Sequence, residues 1–374
     1  MSVVSFTLPV IDGVDKNTTS FDVKDMDTLK DRVSVVKNKY DAVNNNRQFI
    51  QIARQFDYSR IFKHQVHKKY NAPNVSNAWL KAYELVSYYK VIPTKADNFV
   101  YFDNAAFPGS FILAINHYVK TMCDIKHFKW YGSSMISTEL INNGSSPLGD
   151  SYRLYVNYKD HWLMDKKNNG DVTVTQNQRE FARVLGGKVD LYTSDLGFDV
   201  SLDYNRQEET HAHANLGQII TALLTLKEGG TMMTKQYSYF EAFTISLMGV
   251  LTHVFDKIEI CKPMFSKAGN SETYLIGIGY KSNTDITSYL LERLENWSFT
   301  PLTSKESLGD KFITRIVQSQ KVFTEAQILT TNRIFRAFNY NKKYNPKDSI
   351  NKWILLNPLK KISNNLLTIE VISR

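Results

Sequence analysis

Apolar residues recur along the middle of the chain in short runs that alternate between two periods. From about residue 76, a helical pattern over Ala78–Tyr89 gives way to the apolar run Phe99–Phe102, a strand by its length, and then to a turn at Pro108-Gly109. After the turn, Phe111, Ala114, Ile115, Tyr118, Val119 and Met122 return at helical spacing, so strand, glycine turn and helix make one unit. The alternation continues. Phe128–Tyr131 and Val189–Thr193 read as strands, Leu216, Ile219, Ile220, Leu223 and Leu224 mark one helix face, and a Gly229-Gly230 stop follows that helix. A strand at Thr231–Thr234, a helix turning Phe240, Phe243, Leu247, Leu251 and Val254 inward, and strands near Lys257–Cys261 and Thr273–Tyr280 complete the series. This order predicts an α/β fold with a mostly parallel sheet covered on both faces by helices.

Sheets of that class bind ligands outside the carboxyl ends of their strands. Asp103, Asp195 and Lys235 each stand at such an end, and Glu272 opens the last strand, so four scattered positions converge on one expected cleft. On either side of the alternating region, residues 76–285, lie two extensions. Residues 1–75 carry charged, helix-compatible stretches at Met26–Tyr40 and Arg47–Phe62, and residues 286–374 form a C-terminal extension. No internal repeat is present, which excludes solenoid and propeller architectures.

Composition sharpens this picture at three points. At 374 residues, 43% hydrophobic and 13% aromatic, the chain has the material for a sizeable core. Two cysteines, Cys123 and Cys261, are too few for a disulfide framework or a cysteine zinc site. No run approaches the roughly 18–20 apolar residues of a membrane span, and Met1–Val10 lacks the layout of a secretory signal, so a soluble intracellular protein is expected. His211 and His213 flank Ala212, but two histidines without further ligands make a poor metal site, and no metal is expected.

The formal charge of +9 is confined to one region. Residues 311–374 hold 12 Lys/Arg against 3 Asp/Glu, which leaves 34 of each among the other 310 residues. In that segment Phe312, Phe323, Phe335, Phe338, Tyr340, Tyr344 and Trp353 are interleaved with the cations, a mixture suited to phosphate contacts and base stacking. A solvated helical face over a small aromatic core is an equal alternative.

The stretch Asp103-Asn104-Ala105-Ala106-Phe107-Pro108-Gly109-Ser110-Phe111 resembles the nucleotide loop of FtsJ-like methyltransferases. Pro108–Lys120, with Asn116-His117-Tyr118, is similar to the Adrift-type cap methyltransferases of that family. So are Asn77-Ala78-Trp79-Leu80-Lys81, Thr193-Ser194-Asp195 and Ser266–Tyr274. Trp162-Leu163-Met164, Asn169-Gly170-Asp171-Val172-Thr173, Asp203-Tyr204-Asn205 and Gln207-Glu208-Glu209 resemble a viral branch of the family. The likeness spans about residues 77–280. It departs from the family pattern where Ala105 replaces the first glycine of the loop, Ser110 the third, and Ala106 a frequent acidic residue.

The resemblance implies a Rossmann-like methyltransferase sheet, mostly parallel with an antiparallel last strand, and S-adenosylmethionine as cofactor. It implies a catalytic tetrad at Lys81, Asp195, Lys235 and Glu272 that methylates a ribose 2′-oxygen near the 5′ cap of messenger RNA. Capped RNA is then the partner, with other capping or transcription proteins beside it, in the host cytoplasm or a virion. A ribose hydroxyl is a poor nucleophile at neutral pH, so a group that accepts or polarises its proton helps by roughly 10²–10⁴-fold. Lys235 is the candidate. A free lysine has a pKa of about 10.4, so basic action requires desolvation and a positive neighbour, here Lys81, while both carboxylates oppose the shift.

For the cofactor, Pro108, Gly109 and Ser110 are expected to shape the turn, Asp103 to brace it, Asp171 to meet the adenine amino group and Asp195 to touch cofactor and substrate. Phe128 is placed beside the adenosine, with core packing as its alternative. Lys262 and Lys267, in the loop before Glu272, are candidates for RNA phosphates, with a solvated loop as the alternative. Methylation of ribosomal or transfer RNA, or a subunit that has lost the cofactor, are the rival readings. An NAD-linked oxidoreductase is more distant, because the loop lacks the three-glycine fingerprint.

Overall fold

Neighbouring residues of the central strands go to opposite sides of one sheet. Phe102, Tyr192, Met232 and Leu275 enter one core, while Tyr101, Leu191, Met233 and Ile276 enter the other, as the two-residue period of a strand dictates. A computed structural model describes residues 3–43, 45–57, 59–136, 149–164, 169–197, 206–267, 269–340 and 347–368. In chain order its elements are β1 (Val4–Thr7), α1 (Lys24–Lys37), α2 (Arg47–Ala53), α3 (Ser59–Tyr70), α4 (Asn77–Tyr89), β2 (Lys95–Asn104), α5 (Ser110–Met122), β3 (Asp124–Ser133), α6 (Thr175–Leu185) and β4 (Val189–Ser194). Then come α7 (Gln207–Thr225), β5 (Leu226–Gln236), α8 (Ala242–Leu251), β6 (Phe255–Lys262), β7 (Thr273–Tyr280), α9 (Thr284–Glu295), α10 (Lys305–Asn339) and α11 (Lys347–Leu356).

The seven strands lie in the order β1-β6-β7-β5-β4-β2-β3. β3, β2, β4 and β5 are parallel neighbours, whereas β7 runs antiparallel to both β5 and β6. This is the mostly parallel sheet with a reversed last strand that the sequence predicts. One addition was not foreseen: β1, from the N-terminal extension expected to be mainly helical, pairs antiparallel with β6 at the sheet edge. The Gly229-Gly230 pair also plays another part. α7 stops at Thr225, and the glycines lie within β5 at a register shift against β4, where Val189 faces Leu226 but Leu191 faces Thr231.

Helices cover both faces. α3, α4, α5 and α11 pack on one side, and α1, α6, α7, α8, α9 and α10 on the other. Three of the C-terminal aromatics belong to these cores and two more pack on α2. Phe312 and Phe323 are buried with the second group, Phe335 and Phe338 lie 5.0 and 5.3 Å from Phe49, and Trp353 is 1% exposed. At about 1.5–3 kcal/mol for each large side chain fully buried, packing claims Phe312, Phe323 and Trp353 rather than base stacking, while Phe335 and Phe338 are half-buried. Tyr340 is exposed, and Tyr344 lies outside the described residues. Among the described residues, no helix is long and apolar enough to cross a membrane.

Candidate active site

Lys81 owes its position to α4. Ser76 caps that helix by accepting the Trp79 N–H at 3.0 Å, and Trp79 stacks on Tyr83 at 5.1 Å between ring centres. The cap hydroxyl also donates to Ser110 Oγ at 2.8 Å, and Ser110 shares a 3.1 Å hydrogen bond with Tyr152. Where the family has a third glycine, this chain therefore has a hydroxyl that ties the loop after β2 to the helix carrying Lys81.

Three strand ends supply the other members. Asp195 follows β4, Lys235 is the penultimate residue of β5, and Glu272 immediately precedes β7. Lys81 Nζ lies 3.1 and 3.0 Å from the two Asp195 carboxylate oxygens and 3.1 Å from Glu272 Oε1. Lys235 Nζ donates to the Asp195 backbone carbonyl at 2.7 Å and stands 3.4 Å from Asp195 Oδ1. Tyr274 adds a donor, its hydroxyl reaching Asp195 Oδ1 at 2.6 Å. All four charged side chains are mostly buried, with 7–18% of their surface exposed.

Burial alone would raise the Asp195 pKa. Lys81, Lys235 and the Tyr274 hydrogen bond outweigh it and hold the carboxyl below its ordinary value, so Asp195 is ionised at neutral pH. Burial, reinforced by the charges of Asp195 and Glu272, pushes the Tyr274 hydroxyl well above its ordinary value, which keeps it a donor. The Lys81 ammonium sits 5.6 Å from the centre of the Tyr274 ring and that of Lys235 5.7 Å from the Tyr237 ring. Two aromatic rings thus stand within cation–π range of the cluster's ammonium groups.

Two expected RNA contacts sit differently from each other. Lys262 is buried, and its ammonium is spent on Asn270 O and Oδ1, each at 3.0 Å, and on Glu272 O at 2.5 Å. It fixes the loop that delivers Glu272 and does not face a phosphate. Ser266 Oγ donates to the same Glu272 carbonyl, and buried Glu84, one turn along α4 from Lys81, accepts the Met264 N–H. A lysine and a glutamate beside a functional loop read as surface charges in a sequence; only burial shows them as tethers. Lys267 is half exposed and pairs with Asp57 at 2.9 Å.

The expected cofactor residues surround the loop after β2. Gly109 holds φ +113°, and a Cβ there would lie 2.1 Å from Leu154 Cδ1, so glycine is required. Ala105 keeps the left-handed conformation, φ +53°, although it is not glycine. Pro108 follows a cis peptide bond, and the loop is tied to the end of β3 by Ala106 N–H to Ser133 O and Phe107 N–H to Ser134 Oγ. Asp103 is buried and accepts the Thr193 hydroxyl at 2.6 Å, bracing β2 against β4 rather than bracing the turn. Burial pushes its carboxyl well above the ordinary value.

Asp171 accepts the N–H and hydroxyl of Thr173 in a segment held close to β3, where a Cβ on Gly170 would lie 2.0 Å from Ser134 O. Phe128 is a correction. It lies in mid-strand, half-buried and 6.3 Å from Phe99, five residues short of the end of β3, so it packs and does not reach the ligand-binding edge. The matched block Asp203-Tyr204-Asn205 lies outside the described residues. His211 contacts the Tyr237 ring and His213 stacks on Trp297.

Ala105, Val172, Leu196 and Ala214 meet in a small apolar cluster, one residue from each segment that borders the strand ends and one from α7. Beside it Asn104 and Ser133, side by side in the β2–β3 register, are buried with Asn104 Nδ2 and Ser133 Oγ unpaired among the described residues. A buried polar group left unpaired costs about 1–3 kcal/mol, so an apolar floor edged by unmet polar atoms fits a nucleoside that is both flat and hydrogen-bonding.

An α/β sheet with a nucleotide-type turn, a small apolar cluster edged by unpaired polar atoms and a lysine-carboxylate cluster at its carboxyl edge is the arrangement of a methyltransferase of the Rossmann-like class. Residues 74–280 match the model of the FtsJ-like methyltransferases, and the chain belongs to that family, whose cofactor is S-adenosylmethionine. It is 38% identical over 272 residues to the African swine fever virus protein named Probable methyltransferase EP424R, covering 68% of this chain and 62% of that one. It is 29% identical over 276 residues, 71% of this chain and 36% of the other, to the zebrafish (Danio rerio) protein named cap-specific mRNA (nucleoside-2′-O-)-methyltransferase 2. The chain thus spans less than two thirds of the length of these relatives. The solved structure of a ribosomal RNA methyltransferase from Plasmodium falciparum overlays with a TM-score of 0.35 at 16% identity, over 56% of this chain and 99% of that one, too loosely to bear on function.

Proposed function

We propose that this chain transfers a methyl group from S-adenosylmethionine to the ribose 2′-oxygen of a cap-proximal nucleotide of messenger RNA, with Lys81, Asp195, Lys235 and Glu272 as its catalytic groups. One observation carries the reading: these residues, scattered over 192 positions (81–272) of the sequence, meet within 3.0–3.4 Å contacts at the carboxyl edge of the sheet. The cofactor supplies a methyl carbon already activated by its sulfonium charge. Alignment is then most of the remaining task, for which positioning supplies about 7–11 kcal/mol in favourable cases.

The chain's own residues divide that task. Lys235 directs its ammonium group at the 2′-hydroxyl, orients the oxygen and polarises its O–H bond, the proton passing to solvent as the oxygen–methyl bond forms and the carbon–sulfur bond breaks. Asp195 holds Lys235 through a backbone carbonyl and Lys81 through its carboxylate. Glu272 completes the neutralisation of Lys81. Pro108, Gly109, Ser110 and Asp171 hold the cofactor and its loop, Asp103 braces the strands beneath that loop, and Asp195 faces the cofactor as well. The cap as target is supported by the name of the zebrafish relative.

Transfer of a labelled methyl group to short capped RNA tests the reading. Wild-type protein is expected to label it, and Lys235→Ala to abolish labelling while the melting temperature stays within a few degrees. Equal labelling of uncapped RNA would remove the cap assignment, and labelling that survives Lys235→Ala would remove the tetrad.

A further inference from the structure

Two segments from opposite ends of the chain, both outside residues 74–280 apart from a three-residue overlap, are folded side by side. The first runs over α3 and on to Ser76, residues 59–76; the second is residues 352–366. Together they contain Arg60, Lys63, Lys68, Lys69, Lys352, Lys360 and Lys361 and not one Asp or Glu. Backbone bonds set their adjacency. Ile362 N–H donates to Tyr70 O at 3.1 Å, and Asn71 Nδ2 donates to Ile362 O at 2.9 Å and to Asn364 Oδ1 at 2.8 Å. The second segment is further pinned to the domain, since Tyr83 donates to Pro358 O at 2.8 Å and His117 Nε2 lies 2.9 Å from Lys360 O.

With the backbone turned inward, Lys68, Lys69, Lys352, Lys360 and Lys361 are left exposed. Packing two uniformly basic segments together costs repulsion, and neither segment carries an acid to offset it. The face adjoins the catalytic loop. Phe265 of that loop lies 4.9 Å from Phe62 of α3 and 5.3 Å from Trp353 of α11, and Lys267 bonds Asp57 just before α3.

We infer that this composite face is the track for the phosphodiester backbone of the RNA substrate beyond the nucleotide that is methylated. The inference rests on the RNA reading above. It differs from an RNA role for the aromatic C-terminal helix, whose rings are buried or half-buried in packing: the contact is made by cations alone, it is independent of base sequence, and it needs both segments. A polyanion laid across the face releases its counterions, so for a single strand the logarithm of affinity falls with the logarithm of salt at a slope of roughly −0.7 per phosphate contacted.

The test is the full-length chain carrying Lys68→Glu, Lys69→Glu, Lys360→Glu and Lys361→Glu, with the four Lys→Gln changes as a gentler second variant. Binding to labelled RNA of about 20 nucleotides and of about 5 is followed by fluorescence anisotropy across a salt series. The Glu variant is expected to lose at least tenfold in affinity for the longer RNA, with a salt slope shallower by about 3, and to lose less for the shorter one. The Gln variant is expected to fall between, and S-adenosylmethionine binding to be unchanged in both.

Unaltered affinity and slope in a folded Glu variant would overturn the inference. So would wild-type protein that ignores RNA and instead binds phosphatidylserine-containing vesicles through these lysines. Because binding is read without turnover, RNA held on this face but never methylated would overturn the proposed reaction and leave the track standing.

Discussion

Lys262 offers a perturbation whose size follows from its surroundings. Burial drives its pKa down from 10.5 to about 7, against the attraction of Glu272 and with the help of Lys81. Between pH 7 and 10.5 the folded chain has released a proton that the unfolded chain keeps, so stability rises with pH over that window. The slope reaches about 1.4 kcal/mol per pH unit. Below pH 7 both states carry the proton and the whole cost of about 5 kcal/mol is present; above 10.5 none of it is. Lys262→Met keeps the bulk and removes the titration. From pH 7 to pH 9, wild type should therefore gain about 2 kcal/mol on the variant, which for a chain of this size is roughly 2–3 °C in melting temperature.

Buried Glu84 and Glu208, whose carboxyls are pushed up to about 7, act in the opposite sense. Their folded forms hold protons that the unfolded chain releases between about pH 4.5 and 7, so stability falls there as pH rises. Both proteins share that loss, and it cancels in the difference. Thermal melts of wild type and Lys262→Met at pH 7 and pH 9 make the comparison. The sign of the gap at either pH depends on the acceptors left behind at Asn270 and Glu272, but its change does not. A gap equal at both values would mean that the three hydrogen bonds keep the ammonium charged, and the reasoning from burial would fail.

Two further outcomes are expected. Gly109→Ala forces a side chain into φ +113° and against Leu154, a strain of about 1–3 kcal/mol in the backbone alone; calorimetric titration should show S-adenosylmethionine binding at least tenfold weaker, and an unchanged titration would separate this turn from the cofactor. Tyr274→Phe deletes the 2.6 Å hydrogen bond to Asp195, worth about 1.5–3 kcal/mol for a charged acceptor. If that bond holds Asp195 for the reaction, kcat falls roughly 10- to 100-fold with little change in KM for the cofactor; an unchanged kcat would reduce Tyr274 to packing.

The strands from β2 to β7 are legible because each is a short apolar run bounded by a turn, and Asp195, Lys235 and Glu272 because each lies beside such a boundary; Lys81, inside α4, is singled out only by the resemblance. Edges were less so. β2 and β3 begin with Lys95 and Asp124, polar positions outside the sheet's covered centre, so their first residues carry no apolar signal, and Phe128 reads as the start of a strand when it lies in the middle of β3. β1 escaped because an edge strand of four residues needs only one partner and has no period to show. Lys262 was misjudged for a different reason. Lysine next to a loop usually faces water, and nothing in its neighbours along the chain reveals that Asn270 and Glu272 fold back over it. The C-terminal rings show the same limit: an amphipathic helix over a core and a stacking platform have one composition.

The two lysines of the cluster are not equivalent, and under the proposed ribose methylation the difference favours Lys235 as the one that faces the nucleophile. An ammonium group has three donors. Those of Lys81 are directed at two carboxylates, with oxygens at 3.0–3.1 Å, and its side chain is 7% exposed. Among the described residues, Lys235 makes one short bond, to a backbone carbonyl that carries no formal charge, and its nearest carboxylate oxygen is at 3.4 Å. Lys81 is thus neutralised in place, while Lys235 is the less compensated of the two and packs against Gly197, where a Cβ would come within 2.8 Å of its Nζ. A negative charge growing on a ribose oxygen is better met by the cation with fewer fixed partners. Exchanging the roles would require Glu272 to release Lys81, which the tether from Lys262 to the Glu272 carbonyl opposes.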